Sequence, residues 1–211
     1  PWIDNISNVS LVSGDPVIVP GQLDFLDAKY VVAGPSGSAA YQDIEYGTGS
    51  VNGGEQLPLH LDLYRPAGPG LPEELPGIIL IHGGAFKAGS KTGDSMPELA
   101  NYFASRGYIA VSINYRLTTD NPDSSRPVEW ASSDASQAFQ WVVDNSDEGG
   151  LTEGLMVDKI AIAGGSAGAQ TALVMAHANF PSAQPKAVLN FWGGYLLSWL
   201  VANQGDPAAF P

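Results

Sequence analysis

One serine in this chain is placed where it could act as a nucleophile. The run Gly164-Gly165-Ser166-Ala167-Gly168 follows an apolar segment of strand type and precedes an apolar segment with helical spacing. A sharp turn between a strand and a helix exposes a serine hydroxyl, and small flanking residues permit the strained backbone of such a turn. The hydroxyl still requires a base that takes its proton. We therefore predict that Ser166 is a nucleophile, with a plain glycine-rich turn as the alternative.

A second run of small residues could stabilise negative charge on a substrate. His82-Gly83-Gly84-Ala85-Phe86 follows the apolar segment IILI, so this run also lies directly after a predicted buried strand. Backbone N–H groups in such a loop can point at the oxyanion of a tetrahedral intermediate, because no large side chain blocks the approach. The combination of the two runs, each after a buried strand, is more specific than either run alone.

The elements that must position these residues alternate between strands and helices. The segment LPLHLDLYRP alternates apolar and polar residues, which predicts a half-exposed antiparallel strand in an early hairpin. Continuous apolar runs in IILIHGG, YIAVSINYR, KIAIAGG and KAVLNFWGG are typical of parallel strands buried on both faces. Strands that alternate with helices predict an α/β protein with a doubly wound, mostly parallel sheet and an antiparallel N-terminal hairpin.

Three helices connect these strands. The first is predicted in MPELANYFASRG and ends at Gly107, the second in PVEWASSDASQAFQWVVDNS, and the third directly after Ser166. Residues at helical spacing give the second helix one apolar face, formed by Ala131, Ala135, Ala138, Phe139 and Val142.

The length and composition predict one domain and argue against some classes of partner. A chain of 211 residues can bury one substantial core, and we expect an irregular, Gly-, Pro- and Ser-rich extension over residues 1–40 and one α/β domain over residues 41–211. Nine basic and 22 acidic residues give a net charge of −13, which argues against nucleic acid as a partner. The apolar runs are too short to span a membrane. A secreted or periplasmic location is slightly favoured over the cytoplasm.

The motifs together resemble the α/β-hydrolase superfamily, in particular the carboxylesterases and the hormone-sensitive-lipase-like esterases. SINYRL at 112–117 is similar to the fourth core strand of that family, and VDKIAIAGGSAG is similar to its approach to the nucleophile. The resemblance covers residues 41–195. It implies that Ser166 is the nucleophile and that the reaction requires neither a cofactor nor a metal. It further implies an oxyanion hole formed by the backbone N–H groups of Gly84, Ala85 and Ala167. The residues that support the two motifs are then His82, Gly83, Gly164 and Gly168.

The family places an acid and then a histidine after the serine, and neither is evident in this chain. His177 lies eleven residues after Ser166 on the same helix, about 16 Å along the axis, and so cannot reach the hydroxyl. His60 lies on the polar face of an early strand and His82 precedes the oxyanion loop. Asp206 fits a turn better than a catalytic acid.

We therefore expect the acid and the histidine to lie beyond Pro211, together with the missing C-terminal strands, so that this sequence is the N-terminal two-thirds of a hydrolase domain. The apolar segment KAVLNFWGGYLLSWL would then be covered by a complementary C-terminal fragment or by another copy of the chain. Trp192 and Tyr195 either line the substrate pocket or belong to the core, and YLLSWLVANQ is either part of a lid or part of the core.

Three functions follow from this constellation. The leading interpretation is a hydrolase that cleaves carboxylic esters through an acyl-enzyme on Ser166. A serine peptidase of the same fold is the first alternative, because ester and amide cleavage use the same groups. The second is a catalytically inert fragment or a binding member of the fold, because fold alone does not carry function.

Overall fold

The computed structural model describes residues 28–34, 39–51, 54–120, 126–177 and 183–193. The elements in these ranges, in chain order, are β1 (Val31–Val32), β2 (Tyr41–Ser50), β3 (Gln56–Tyr64), β4 (Pro66–Ala67), β5 (Leu75–Ile81), α1 (Met96–Ala104), β6 (Ile109–Ile113), α2 (Pro127–Asp144), β7 (Leu155–Gly164), α3 (Ala167–Ala176) and β8 (Ala187–Asn190). The C-terminal segment that contains Tyr195 and Asp206 lies outside the described residues, as does the lid or core segment after residue 193.

A mixed sheet of six strands forms the centre of the described structure, in the order β2-β3-β6-β5-β7-β8. The strands β6, β5, β7 and β8 run parallel, whereas β3 pairs antiparallel with both β2 and β6. The predicted fold class, a mostly parallel sheet that begins with an antiparallel hairpin, is therefore confirmed.

Helices cover both faces of this sheet, as a doubly wound fold requires. Because side chains alternate along a strand, Ile79 and Ile81 of β5 pack with α2 and α3, whereas Ile78 and Leu80 pack with α1 on the other face. The strands β5 and β6 are buried almost throughout, which explains their unbroken apolar sequences.

The strand β3 differs from its prediction in one respect. It is antiparallel, as the alternating pattern indicates, but its last four residues are all buried, including Asp62 and Tyr64 on the supposed polar face. The reason is that both faces of this part of β3 are covered: Leu61 and Leu63 pack into the core with α2, and Tyr64 packs with α1 on the other face. Asp62 is buried in an ion pair with Lys91. Half-exposure is therefore wrong for this part of the strand.

The helices agree closely with their patterns. All five residues predicted for the buried face of α2 are fully or almost fully buried. α1 ends at Ala104, and a turn continues to Gly107, whose φ of 92° is in the left-handed region that glycine adopts without strain. Among the described residues, no helix is long and apolar enough to cross a membrane.

Part of the N-terminal segment is attached to this domain. β1 pairs antiparallel with β4, Val31 opposite Ala67, and the backbone N–H groups of Lys29 and Tyr30 both donate to the carbonyl of Ser105 at the end of α1. The division into residues 1–40 and 41–211 stays a prediction, because residues 1–27 and 35–38 lie outside the described ranges.

Candidate active site

Ser166 forms the turn between β7 and α3 and has a strained backbone. Its φ of 51° and ψ of −117° are sparsely populated by residues other than glycine, and such strain is retained where the surrounding structure enforces it. The close packing of the turn explains two glycines. A Cβ at Gly164 would collide with the backbone of Gly168, and a Cβ at Gly168 would collide with the carbonyl oxygen of Ile81 in β5.

The loop after β5 carries three successive residues in the left-handed region, with φ values of 111° at Gly84, 52° at Ala85 and 60° at Phe86. The carbonyl of Gly84 accepts hydrogen bonds from the N–H groups of Lys87 and Ala88, at 2.9 and 3.1 Å, which closes the loop as a tight turn. The loop thus turns away from the strand directly, and the Phe86 side chain in this turn is buried.

The structure brings this loop against the nucleophile turn. The position that a Cβ would take on Gly83 lies 3.1 Å from the carbonyl oxygen of Gly165 and 3.4 Å from Cβ of Ser166. No other described residue accepts a hydrogen bond from the backbone N–H groups of Gly84, Ala85 or Ala167, so these donors are available to a ligand. The N-terminus of α3 adds a partial positive charge beside Ser166.

His82 supports the loop from below and is unsuited to act as a base. Its side chain is 1% exposed, its Nδ1–H donates to the carbonyl of Gly83 at 2.7 Å, and its ring stacks on Tyr115 with 4.3 Å between centroids. Burial lowers the pKa of His82, and the Gly83 carbonyl and the charge of Asp94 oppose this only in part. The imidazole is therefore neutral and fixed in one tautomer by the loop that it supports.

A buried ion pair at Lys91 fixes the position of the later part of the same loop, which continues to α1. Lys91 Nζ lies 2.8 Å from Asp62 Oδ1 and 2.9 Å from Asp43 Oδ1, and the Lys91 side chain is almost fully buried. The backbone of Lys91 is held as well, because its N–H donates to Asn114 Oδ1 and its carbonyl accepts from Ser112 Oγ. Burial lowers the pKa of Lys91, but the hydrogen bonds and charges of the two aspartates outweigh it and raise the pKa overall.

A second buried pair holds the segment that carries Tyr115. Arg116 donates to the Asp134 carboxylate through its backbone N–H, Nε and Nη2, and Nη1 donates to the carbonyl of Ser50. Asp134 is 0% exposed on α2, so this fork joins the end of β6 to the helix. The Tyr115 hydroxyl in turn donates to the carbonyl of His82 at 3.1 Å. The two ion pairs therefore hold the loop from both of its sides.

Sequence reasoning missed both pairs. Asp62 was expected on an exposed strand face, and Lys91 gives no local signal of burial. A signal for Asp134 was present, because it is an acid on a helix face that otherwise carries alanines, and buried carboxylates are almost always paired. Nothing in the sequence indicates that its partner is Arg116.

The two remaining histidines lie away from Ser166. His60 pairs with Glu45 across the β2–β3 hairpin, and His177 is an exposed residue at the C-terminal end of α3. Among the described residues, no group of three or more His, Cys, Asp or Glu side chains is placed to hold a metal ion.

Trp192 is the one described aromatic for which two roles were open. It is 66% exposed, and its ring lies 2.6 Å from the position that a Cβ on Gly165 would take. Within the described residues Trp192 therefore lies outside the core and beside the nucleophile turn, and its place in a substrate pocket stays a prediction.

Known proteins resemble this chain over the region that contains both motifs. The BD-FAE family model matches residues 61–189. The probable carboxylic ester hydrolase LipM of Mycobacterium tuberculosis is 33% identical over 164 residues, which cover 72% of this chain and 34% of LipM. The non-reducing polyketide synthase atr1 of Stereocaulon alpinum is 31% identical over 136 residues, which cover 63% of this chain and 5% of the synthase.

Solved structures share the fold. The esterase Est2 of the planctomycete Thermogutta terrifontis, with propionate bound, superposes with a TM-score of 0.57 at 24% identity, over 75% of this chain and 56% of Est2. Est2 phosphorylated by paraoxon superposes with a TM-score of 0.58 at 24% identity, over 77% of this chain and 60% of Est2. The chain thus spans about a third of the length of LipM and a little over half of Est2.

Proposed function

This chain belongs to the BD-FAE family of α/β-hydrolases, and from that premise we propose that it cleaves carboxylic esters through an acyl-enzyme formed on Ser166. The observation that carries the proposal is the meeting of two loops, in which Gly83 contacts the strained turn of Ser166 and unoccupied N–H donors lie on both sides. LipM, a relative described as a probable carboxylic ester hydrolase, supports the same reaction class.

The proposed first half-reaction forms the acyl-enzyme. Ser166 Oγ attacks the ester carbonyl carbon while its proton passes to a base, and the carbonyl electron pair moves to the oxygen. The N–H groups of Gly84, Ala85 and Ala167 donate to this oxyanion and stabilise the tetrahedral intermediate. The intermediate then collapses, the bond to the alcohol oxygen breaks, and the alcohol leaves with the proton from the base.

The second half-reaction repeats these steps with water. The base takes a proton from a water molecule, whose oxygen attacks the acyl carbonyl and generates a second tetrahedral intermediate at the same donors. When this intermediate collapses, Ser166 Oγ leaves and regains its proton, and the carboxylic acid is released.

We place the base and its acid partner on polypeptide outside residues 1–211, either in the same protein or in a partner. The support for this is the position of the three histidines of this sequence. His82 is bound to the loop carbonyl, His60 lies on β3, and His177 lies at the opposite end of α3 from Ser166. A hydrolase without its base retains only the contribution of the oxyanion hole and binding, roughly 10³- to 10⁴-fold over water.

Hydrolysis of p-nitrophenyl propionate tests the proposal, with residues 1–211 assayed together with the polypeptide that carries the base. We expect Ser166→Ala to lower kcat by at least about 10⁴-fold. The matched control is Ser133→Ala, which replaces an exposed serine of α2 and should leave the rate unchanged. A kcat of Ser166→Ala within about tenfold of the wild type would refute the nucleophile assignment. A p-nitroanilide of the same acyl group, assayed in parallel, separates an esterase from a peptidase.

A further inference from the structure

One acidic side chain lies beside the nucleophile and is not used by the proposed mechanism. Asp94 lies on the loop between β5 and α1, and its Oδ2 lies 3.7 Å from the position that a Cβ on Gly83 would take. Cβ of Ser166 lies 3.4 Å from the same position. The Asp94 carboxylate and Ser166 are therefore on the same side of Gly83.

The carboxylate of Asp94 is free to bind a ligand. Asp94 is exposed, and no described residue donates a hydrogen bond to its carboxylate or forms an ion pair with it. The buried acids Asp62 and Asp134, in contrast, are each paired with a cation. A negative charge that is left unpaired beside a nucleophile acts on whatever occupies the site.

The backbone around Asp94 holds this charge in place. Asp94 and Ser95 have φ values of 50° and 60°, a conformation that costs free energy for residues other than glycine. The turn is closed by hydrogen bonds from the N–H of Met96 to the carbonyl of Gly93 and from the N–H of Leu99 to the carbonyl of Ser95. These contacts fix the backbone from which the Asp94 carboxylate extends beside Ser166.

The field of Asp94 also reaches the residues that support the loop. Burial is the main cause of the lowered pKa of His82 and of the raised pKa of Tyr115. The negative charge of Asp94 raises the pKa of both groups, so it opposes the effect of burial on His82 and adds to that effect on Tyr115. Because the Asp94 charge acts on the buried side chains of His82 and Tyr115, it also acts on a substrate bound beside Ser166.

We propose that Asp94 is a specificity-determining residue that makes the site prefer esters with a cationic group close to the scissile carbonyl. The proposal rests on the proposed function, since it concerns the substrate of the same nucleophile. At a separation of about 7 Å and an effective dielectric constant of about 40–80, Coulomb's law gives a preference of about threefold to eightfold over a neutral ester of the same shape. Salt at about 1 M should remove most of this preference.

The first test compares kcat/KM for acetylthiocholine and for 3,3-dimethylbutyl thioacetate, which differ only in the charge of the quaternary centre. The wild type should prefer acetylthiocholine, and Asp94→Asn should lower the ratio of the two kcat/KM values about threefold to eightfold. The matched control is Asp158→Asn, which removes the same charge from an exposed position toward the other end of β7. Equal loss of preference in both variants would overturn the proposal, because the cause would then be the overall charge of the protein.

A second measurement does not depend on turnover. Binding of choline and of 3,3-dimethylbutanol is measured by saturation-transfer NMR on the wild type, Ser166→Ala and Asp94→Asn. A preference for choline that persists in Ser166→Ala and is lost in Asp94→Asn supports the proposal even if Ser166 proves not to be a nucleophile. Equal affinity of the wild type for the two compounds would overturn it, whatever the outcome for the proposed function.

Discussion

Replacing Asp134 by asparagine removes the charge from a carboxylate that receives four hydrogen-bond contacts from Arg116, at 2.7 to 3.0 Å. Asp134 is 0% exposed and the Arg116 side chain is 9% exposed, so the guanidinium would be left without its counter-ion inside the protein. Breaking a buried ion pair in this way costs about 3–5 kcal/mol of unfolding free energy.

We expect a cost near the lower limit, about 3 kcal/mol, because Arg116 Nη1 keeps its hydrogen bond to the carbonyl of Ser50. For a chain of this length that cost corresponds to a fall in Tm of about 6–12 °C. The effect should extend to the site, since Tyr115, next to Arg116, stacks on His82 under the oxyanion loop. The ester turnover of the variant should therefore already be reduced at temperatures well below its Tm.

Urea unfolding followed by circular dichroism measures the cost, provided that the slope with urea is the same for wild type and variant. The double variant Arg116→Met/Asp134→Leu distinguishes the loss of a partner from the loss of packing. It should be less destabilised than Asp134→Asn, because no unpaired charge remains. The surface control is Glu129→Gln, whose partner Arg126 is 66% exposed, and we expect a change below about 0.5 kcal/mol.

Two results would refute this reasoning. One is a cost below about 1 kcal/mol for Asp134→Asn, which would mean that water enters and solvates the guanidinium. The other is a double variant as unstable as the single variant, which would mean that Asp134 matters for packing and not for its charge.

Three further predictions concern the residues that support the site. Asp62→Asn leaves buried Lys91 with only the exposed Asp43 as a counter-ion, and it should lower the free energy of unfolding in urea by about 2–4 kcal/mol. The variant should also lower kcat more than it raises KM, and an unchanged kcat would contradict the role of the Asp62–Lys91 pair in positioning the loop. Gly168→Ala should cost at least about 3 kcal/mol because its Cβ would meet the backbone of β5, whereas Gly70→Ala, with open space around it, should cost only about 1 kcal/mol, and chemical unfolding compares them. Burial lowers the pKa of His82 in the folded state, so the unfolded state binds the proton more readily and the free energy of unfolding falls as the pH drops below about 6.5. His82→Gln should weaken that dependence between about pH 7.5 and 5.5, and an identical pH profile would contradict the pKa direction.

The parts of the fold that follow from local pattern were predictable. The continuous apolar strands, the apolar face of α2 and the small residues around Ser166 each obey rules that span fewer than twenty residues. The meeting of the loops after β5 and β7 follows as well, because the carboxyl ends of neighbouring parallel strands lie at the same edge of a sheet.

The supporting contacts were not predictable, because they join residues that the sequence separates. Asp62 lies 29 positions before Lys91 in the sequence. The alternation of polar and apolar residues around Asp62 predicts that it faces solvent, but in the structure this face is buried. Trp192 looked like a core aromatic because it follows an apolar strand, yet it is exposed beside Gly165. Burial of this kind depends on which segments pack over each face of the sheet, and a single sequence does not specify that.

The central claim, that Ser166 is the nucleophile, is tested most directly by covalent labelling. Est2, a structural neighbour, has been solved phosphorylated by paraoxon, and paraoxon is therefore the reagent of choice. Residues 1–211, together with the polypeptide that carries the base, are incubated with excess paraoxon for a prolonged period, digested and mapped by mass spectrometry. We predict one diethylphosphoryl adduct, on Ser166, that is absent from protein denatured beforehand. An adduct on another residue, or Ser166 left unmodified after prolonged incubation, would contradict the assignment.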